Sequence, residues 1–237
     1  MLNRRMICGC LAAVPLAALA RPAFAEENQC AVFTRERQAS VTPADALALL
    51  KAGNERFVSG QTVNCDLVKQ AAATATGQAP FAAIVGCMDS RVPPELVFDQ
   101  KIGDVFDARI AGNFVDTNIL GSLEFATAVA GARLICILGH SDCGAIKGAI
   151  DDVKFGNLTA TLANIRPVVE AASTDAETPT SKDAGFVQKV AEANVRNAAR
   201  FILDNSPAIR EMADARDLMV VGAMHDLASG RITFLDG

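Results

Sequence analysis

The chain has 237 residues, enough for one large α/β domain or two small ones. With 51% hydrophobic and 21% charged residues it belongs to the packed globular class and not to the disordered one. A net charge of −5 without any basic run argues against nucleic acid or an anionic membrane as partner, and with Trp and Tyr both absent any aromatic contact rests on Phe.

The first 25 residues, MLNRRMICGCLAAVPLAALARPAFA, carry Arg4, Arg5 and Arg21 with no acid, an apolar stretch from Met6 to Ala20, and Ala23-Phe24-Ala25 at the end. This is the layout of a secretory signal peptide cleaved before Glu26, which leaves a mature chain of 212 residues at −8. The paired arginines fit the twin-arginine route, and equally the basic start of a Sec signal. The apolar run is short of the roughly 20 residues that a bilayer requires. The expected location is periplasmic or secreted, with no membrane span.

Residues 26–42 read as an irregular arm. TPADALALLKAGNERFVSG then predicts a helix over 43–58, with Thr42 as N-cap and Pro43 at its first position. FAAIVGC is a continuous apolar run of the kind that parallel strands covered on both faces display. VFDARI and RLICILG predict two further strands, separated by an apolar helix, NILGSLEFATAVAG, that stops at Gly131. Segments 157–172 and 184–204 have helical spacing, and TDAETPTSKD between them reads as a surface loop. DLMVVGAM is a fourth strand, and GRITFLD a short edge strand. The alternation predicts an α/β fold: a mainly parallel sheet of four to five strands flanked by helices, with an N-terminal helical arm, in one domain over 26–237. The helix at 43–58 has no evident place in the sheet, so with the arm it is expected to wrap a second subunit of a homodimer.

Five of the seven cysteines follow the signal segment. Cys136, inside an apolar strand, reads as core, and Cys30 and Cys65, outside the strands, can pair in an oxidising compartment. Cys87 ends the first strand in GCMDSR, and His140 and Cys143 end the third in GHSDCG. Ligands of open α/β sheets gather beyond the carboxyl ends of strands, so adjacency of these two strands would bring the three residues together. Two thiolates and an imidazole suit zinc, one ion per chain, with a fourth position open as in catalytic sites. A core histidine and a buried apolar Cys87 are the plainer alternatives. Asp89, two residues from a ligand, can orient a metal-bound water or occupy the fourth position itself. Arg91 can hold Asp89 bidentately, and the same pair also reads as a structural salt bridge. His225, just past a strand, reads as a structural or surface residue.

C-x-D-x-R at Cys87–Arg91 and H-x-x-C at His140–Cys143 resemble the β-class carbonic anhydrases. The likeness continues through SRVPPELVFDQKIGDVFDARIAGN, GSLEFA, ILGHSDCGAIKGA and DLASGRITFL. The resemblance implies reversible hydration of carbon dioxide to bicarbonate by zinc-bound hydroxide, in dimers or tetramers. It implies Cys87, His140 and Cys143 as zinc ligands and Asp89 with Arg91 as catalytic dyad. Gln78 would bind substrate, often from the partner subunit, and Phe106 and Phe125 would line the carbon dioxide pocket. Some members carry a regulatory bicarbonate pocket built from Trp, Arg and Tyr. Arg109 is in place, but the aromatic partners are missing, so that regulation is not expected. A hydrolase of carbon disulfide or carbonyl sulfide on the same scaffold, and a non-catalytic zinc protein of the cell envelope, are the competing readings.

Overall fold

A computed structural model describes residues 29–173 and 180–235. The signal segment and most of the TDAETPTSKD loop lie outside the described residues. The apolar runs form β1 (Ala82–Gly86), β2 (Val105–Arg109), β3 (Leu134–His140) and β4 (Met219–His225), with β5 (Ile232–Phe234) last. The strand order is β2-β1-β3-β4-β5; the first four are parallel and β5 pairs antiparallel with β4. Every residue of β1 and β3 is buried, as their unbroken apolar sequences require. The adjacency of β1 and β3 is the arrangement on which the metal reading depends.

Helix α1 (Arg35–Ser40), capped by Thr34, occupies part of the segment expected to be irregular. Its Gln38 reaches the carbonyls of Pro80 and Ala130, so a buried side chain and not an apolar period holds it in place. Helix α2 (Pro43–Val58) begins at Thr42, whose hydroxyl forms a capping box with Asp45. The expectation that this helix lacks a place on its own sheet is overturned. Ala46 and Leu50 are fully buried in one core cluster with Ala82, Ile84, Leu134, Cys136 and Leu138. Gly53 allows α2 to pass close to the next loop, because a Cβ there would fall 1.7 Å from the Phe98 carbonyl oxygen. Helices α3 (Leu67–Thr74) and α4 (Pro94–Val97) follow on either side of β1. Cys30 and Cys65 form a disulfide that ties the arm to the chain ahead of α3. A loop of that length contributes roughly 3–4 kcal/mol through denatured-state entropy.

The opposite face of the sheet, through Ala83, Val85, Ile135 and Ile137, packs beneath the remaining helices. The helix ahead of Gly131 is α-helical as α5 (Thr117–Glu124) and widens to a π turn over Phe125–Val129. Gly131 then takes φ +88, which suits glycine. The 157–172 segment divides into α7 (Leu158–Ala163) and α8 (Arg166–Ala172), with Pro167 in the first turn of the second. Helices α6 (Gly144–Ile150), α9 (Ala184–Asn205) and α10 (Pro207–Asp214) complete the layer. Among the described residues no helix is long and apolar enough to cross a membrane.

Candidate metal centre

Cys87 immediately follows β1, His140 ends β3, and Cys143 sits at the N-cap of α6. The turn between the last two is closed by Asp142 at φ +56, a conformation that Asp tolerates, and its carboxylate pairs with Lys147. One donor atom from each of Cys87, His140 and Cys143 lies within 4.8 Å of the others, and all three residues are buried. The two sulfurs are 3.9 Å apart. So close a buried pair resists ionising twice: contact with Cys143 lowers the Cys87 pKa, and the same contact with burial raises that of Cys143. A divalent ion would let both ionise.

His140 is fully buried, and its Nδ1 lies 2.9 Å from the Ser141 carbonyl. With the proton on Nδ1, the Nε2 lone pair turns into the cluster, where it meets no hydrogen-bond partner among the described residues. A buried, unsatisfied imidazole nitrogen facing two sulfurs fits zinc, and these three donors would hold it with a fourth position left open.

Asp89 stands beside this cluster, Oδ2 lying 3.9 Å from His140 Nε2. Arg91 donates to it from Nε at 2.9 Å, from Nη2 at 2.7 Å, and from its backbone N–H at 2.9 Å. The Arg91 hydrogen bonds hold the Asp89 carboxyl well below the usual range against an opposing effect of burial. The Asp89–Arg91 salt bridge thus stands at the edge of the metal cluster.

Arg109, at the position of the regulatory-pocket arginine of some family members, braces the ligand loop. Its Nε donates to the Cys87 carbonyl at 3.0 Å and its Nη2 to that of Asp89 at 2.5 Å. His225 takes the structural alternative and not the surface one, within the strand and not past it. It is the last residue of β4, buried, and in register with His140. Neither ring nitrogen meets a partner among the described residues, and burial lowers its pKa. The strand runs one residue further than its apolar pattern, and this carries the ring inside.

The expected substrate residues are not at the cluster within one chain. Gln78 is exposed ahead of β1, at the end of the sheet away from the ligands. Phe106 pairs in register with Ala83, four residues before Cys87 and so on the order of 13 Å along the strand. Its ring meets that of Phe125 edge-on at 6.3 Å, in a cleft of about 520 Å³ beside the free edge of β2. A smaller cavity of about 220 Å³ beneath the arm is also remote from the cluster, and the Arg56, Asp99 and Lys101 charges in it pair with one another.

Comparison with known proteins agrees with this site. The family model described as carbonic anhydrase matches residues 82–232. Carbonic anhydrase 2 of Mycobacterium tuberculosis is 35% identical over 198 residues, covering 83% of this chain and 95% of the relative. A carbonic anhydrase of Mycolicibacterium smegmatis is 33% identical, covering 80% and 92%. Among solved structures, one of two tetrameric β-carbonic anhydrases from Sordaria macrospora superimposes with a TM-score of 0.62 at 34% identity, covering 70% of this chain and 85% of that one.

Proposed function

Because this chain belongs to the β-class carbonic anhydrases and catalyses zinc-dependent, reversible hydration of carbon dioxide to bicarbonate and a proton, we propose that Asp89 and Arg91 are its catalytic dyad and Cys87, His140 and Cys143 its zinc ligands. The observation that carries the assignment is the buried Cys–His–Cys cluster with an Arg-bound carboxylate at its edge. When bound, zinc supplies Lewis acidity that makes water nucleophilic near neutral pH. Asp89 then accepts a hydrogen bond from the reacting water and fixes the direction of its lone pair. Arg91 keeps Asp89 ionised and, by occupying both carboxylate oxygens, favours its use as an orienting base over its use as a fourth ligand.

The enzyme is oligomeric in this reading, a homodimer or a multiple of one. The free edge of β2 is flanked by Phe125, exposed at 53%. A two-fold axis at that edge runs two parallel sheets in opposite senses, which carries Gln78 and the Phe106–Phe125 pair of one subunit toward the ligand end of the other. There an apolar slot and an amide donor would receive carbon dioxide and the developing bicarbonate oxygen. Export completes the proposal, supported by the A-x-A signature and by the Cys30–Cys65 disulfide, which an oxidising compartment maintains. The exported protein should begin at Glu26 by N-terminal sequencing, and a retained leader in the envelope fraction would overturn that part.

Stopped-flow assay of zinc-loaded mature protein tests the whole reading: fast hydration of carbon dioxide is expected from a species that sediments as a dimer or dimer multiple. Hydrolysis of carbonyl sulfide or carbon disulfide without carbon dioxide hydration would replace it.

A further inference from the structure

Cys87 is held in place by a residue more than a hundred positions away in the chain. Gly112 lies in the turn after β2 at φ +86, and its N–H donates to Cys87 Sγ at 3.4 Å. Its carbonyl accepts from Asn194 Nδ2 at 2.8 Å. The turn packs closely on the Ile165 side chain: a Cβ at Gly112 would fall 2.4 Å from Ile165 Cδ1. Asn194 is 1% exposed, on a face of α9 whose other buried members include Val190, Ala191, Val195 and Ala198. An amide is costly to bury among such residues; the Nδ2 bond offsets part of that cost, while Oδ1 meets no partner among the described residues.

The seat of α9 on the sheet explains how the amide arrives there. Val195, the next residue, sits over Gly139 of β3 and Gly222 of β4; a Cβ on either would come within 2.6 Å of a Val195 methyl carbon. Two glycines on neighbouring strands therefore let the helix settle low enough for Asn194 to reach the Gly112 carbonyl. One of them, Gly139, directly precedes the ligand His140.

We propose that Asn194 is a positioning residue of the metal centre: by holding the Gly112 carbonyl it keeps the Gly112 N–H aimed at the Cys87 sulfur, and so fixes that thiolate in the orientation that retains zinc. The proposal rests on the zinc-site reading above. Partners that orient metal ligands typically change metal affinity by 10–100-fold when removed, and a partner acting through one intervening residue belongs at the lower end.

The test is Asn194→Leu, which removes the donor at similar volume, made in the zinc-loaded full enzyme. Zinc affinity, measured by competition with a chromophoric chelator, should fall roughly tenfold. In the cobalt-substituted protein the thiolate-to-metal charge-transfer band should shift or weaken. Val190→Ala, a core truncation on the same helix, serves as control: it should lower thermal stability without moving either readout. Wild-type affinity and an unchanged band in Asn194→Leu would overturn the proposal, as would an equal effect of the control. If leucine does not fit the site, Asn194→Ala removes the donor without added bulk and is judged by the same two readouts. Failure of the wild type to bind zinc would instead strike the zinc-site reading, so the two failures are distinct.

Discussion

Replacing Asp89 by Asn should lower carbon dioxide hydration by roughly 10²–10⁴-fold, the range expected for loss of a positioned base, with zinc content unchanged. The substitution preserves shape but removes the charge that accepts two side-chain bonds and one backbone bond from Arg91. An amide has one oxygen for that fork and must turn its NH₂ either to the guanidinium or to the reacting water, where a donor is of no use. The Arg91 contacts that hold Asp89 below the usual carboxylate range also keep it ionised near neutral pH. A limb near neutrality in the wild-type pH–rate profile should therefore belong to another group. Stopped-flow rates beside metal analysis decide the matter. A variant within threefold of wild type would remove Asp89 from the mechanism, and loss of zinc together with activity would make it a determinant of metal binding.

The metal cluster was legible in the sequence because its information is local. Each ligand ends an apolar run or stands three residues beyond one, and the adjacency of β1 and β3 follows from a common topology. The Asp89–Arg91 fork is likewise a contact across two residues. What escaped notice is carried by pairs with no periodic signature. Arg109 reaches back 22 residues to the Cys87 carbonyl, Gln38 crosses 92 to the Ala130 carbonyl, and Asn194 crosses 82 to Gly112. All three are side chains bound to backbone carbonyls, which any sequence supplies, so the acceptor leaves no trace in residue type. Helix α2 was misplaced for a different reason: its apolar face predicts burial without naming the surface that covers it. Gln78, Phe106 and Phe125, proposed above as substrate residues, show the same limit one level higher. Their distance from the cluster within one chain fits that proposal only if a second subunit completes the site.

Stripping the metal should abolish hydration, and zinc should restore it. The effect on the fold should be large as well, because ligand binding to the native state alone stabilises by about 4 kcal/mol at a thousandfold excess over the dissociation constant. For a domain of this size that corresponds to roughly 8–16 °C in melting temperature. Removal leaves two buried sulfurs 3.9 Å apart, so close that their mutual repulsion as thiolates favours keeping a proton between them. Rebinding must expel that proton. The sign follows: at least one proton is released on binding, so zinc affinity should rise about tenfold per pH unit across the range where the metal-free pair still holds it. Chelators should therefore strip the enzyme more readily at pH 6 than at pH 8. Calorimetric scans of chelated and reloaded protein, with zinc competition at the two pH values, give both quantities. Equal melting temperatures with and without metal would mean that zinc binds the unfolded chain as well as the native one, or does not bind at all. A pH-independent affinity would mean that both thiols are already ionised in the metal-free protein, against the electrostatics of so close a buried pair.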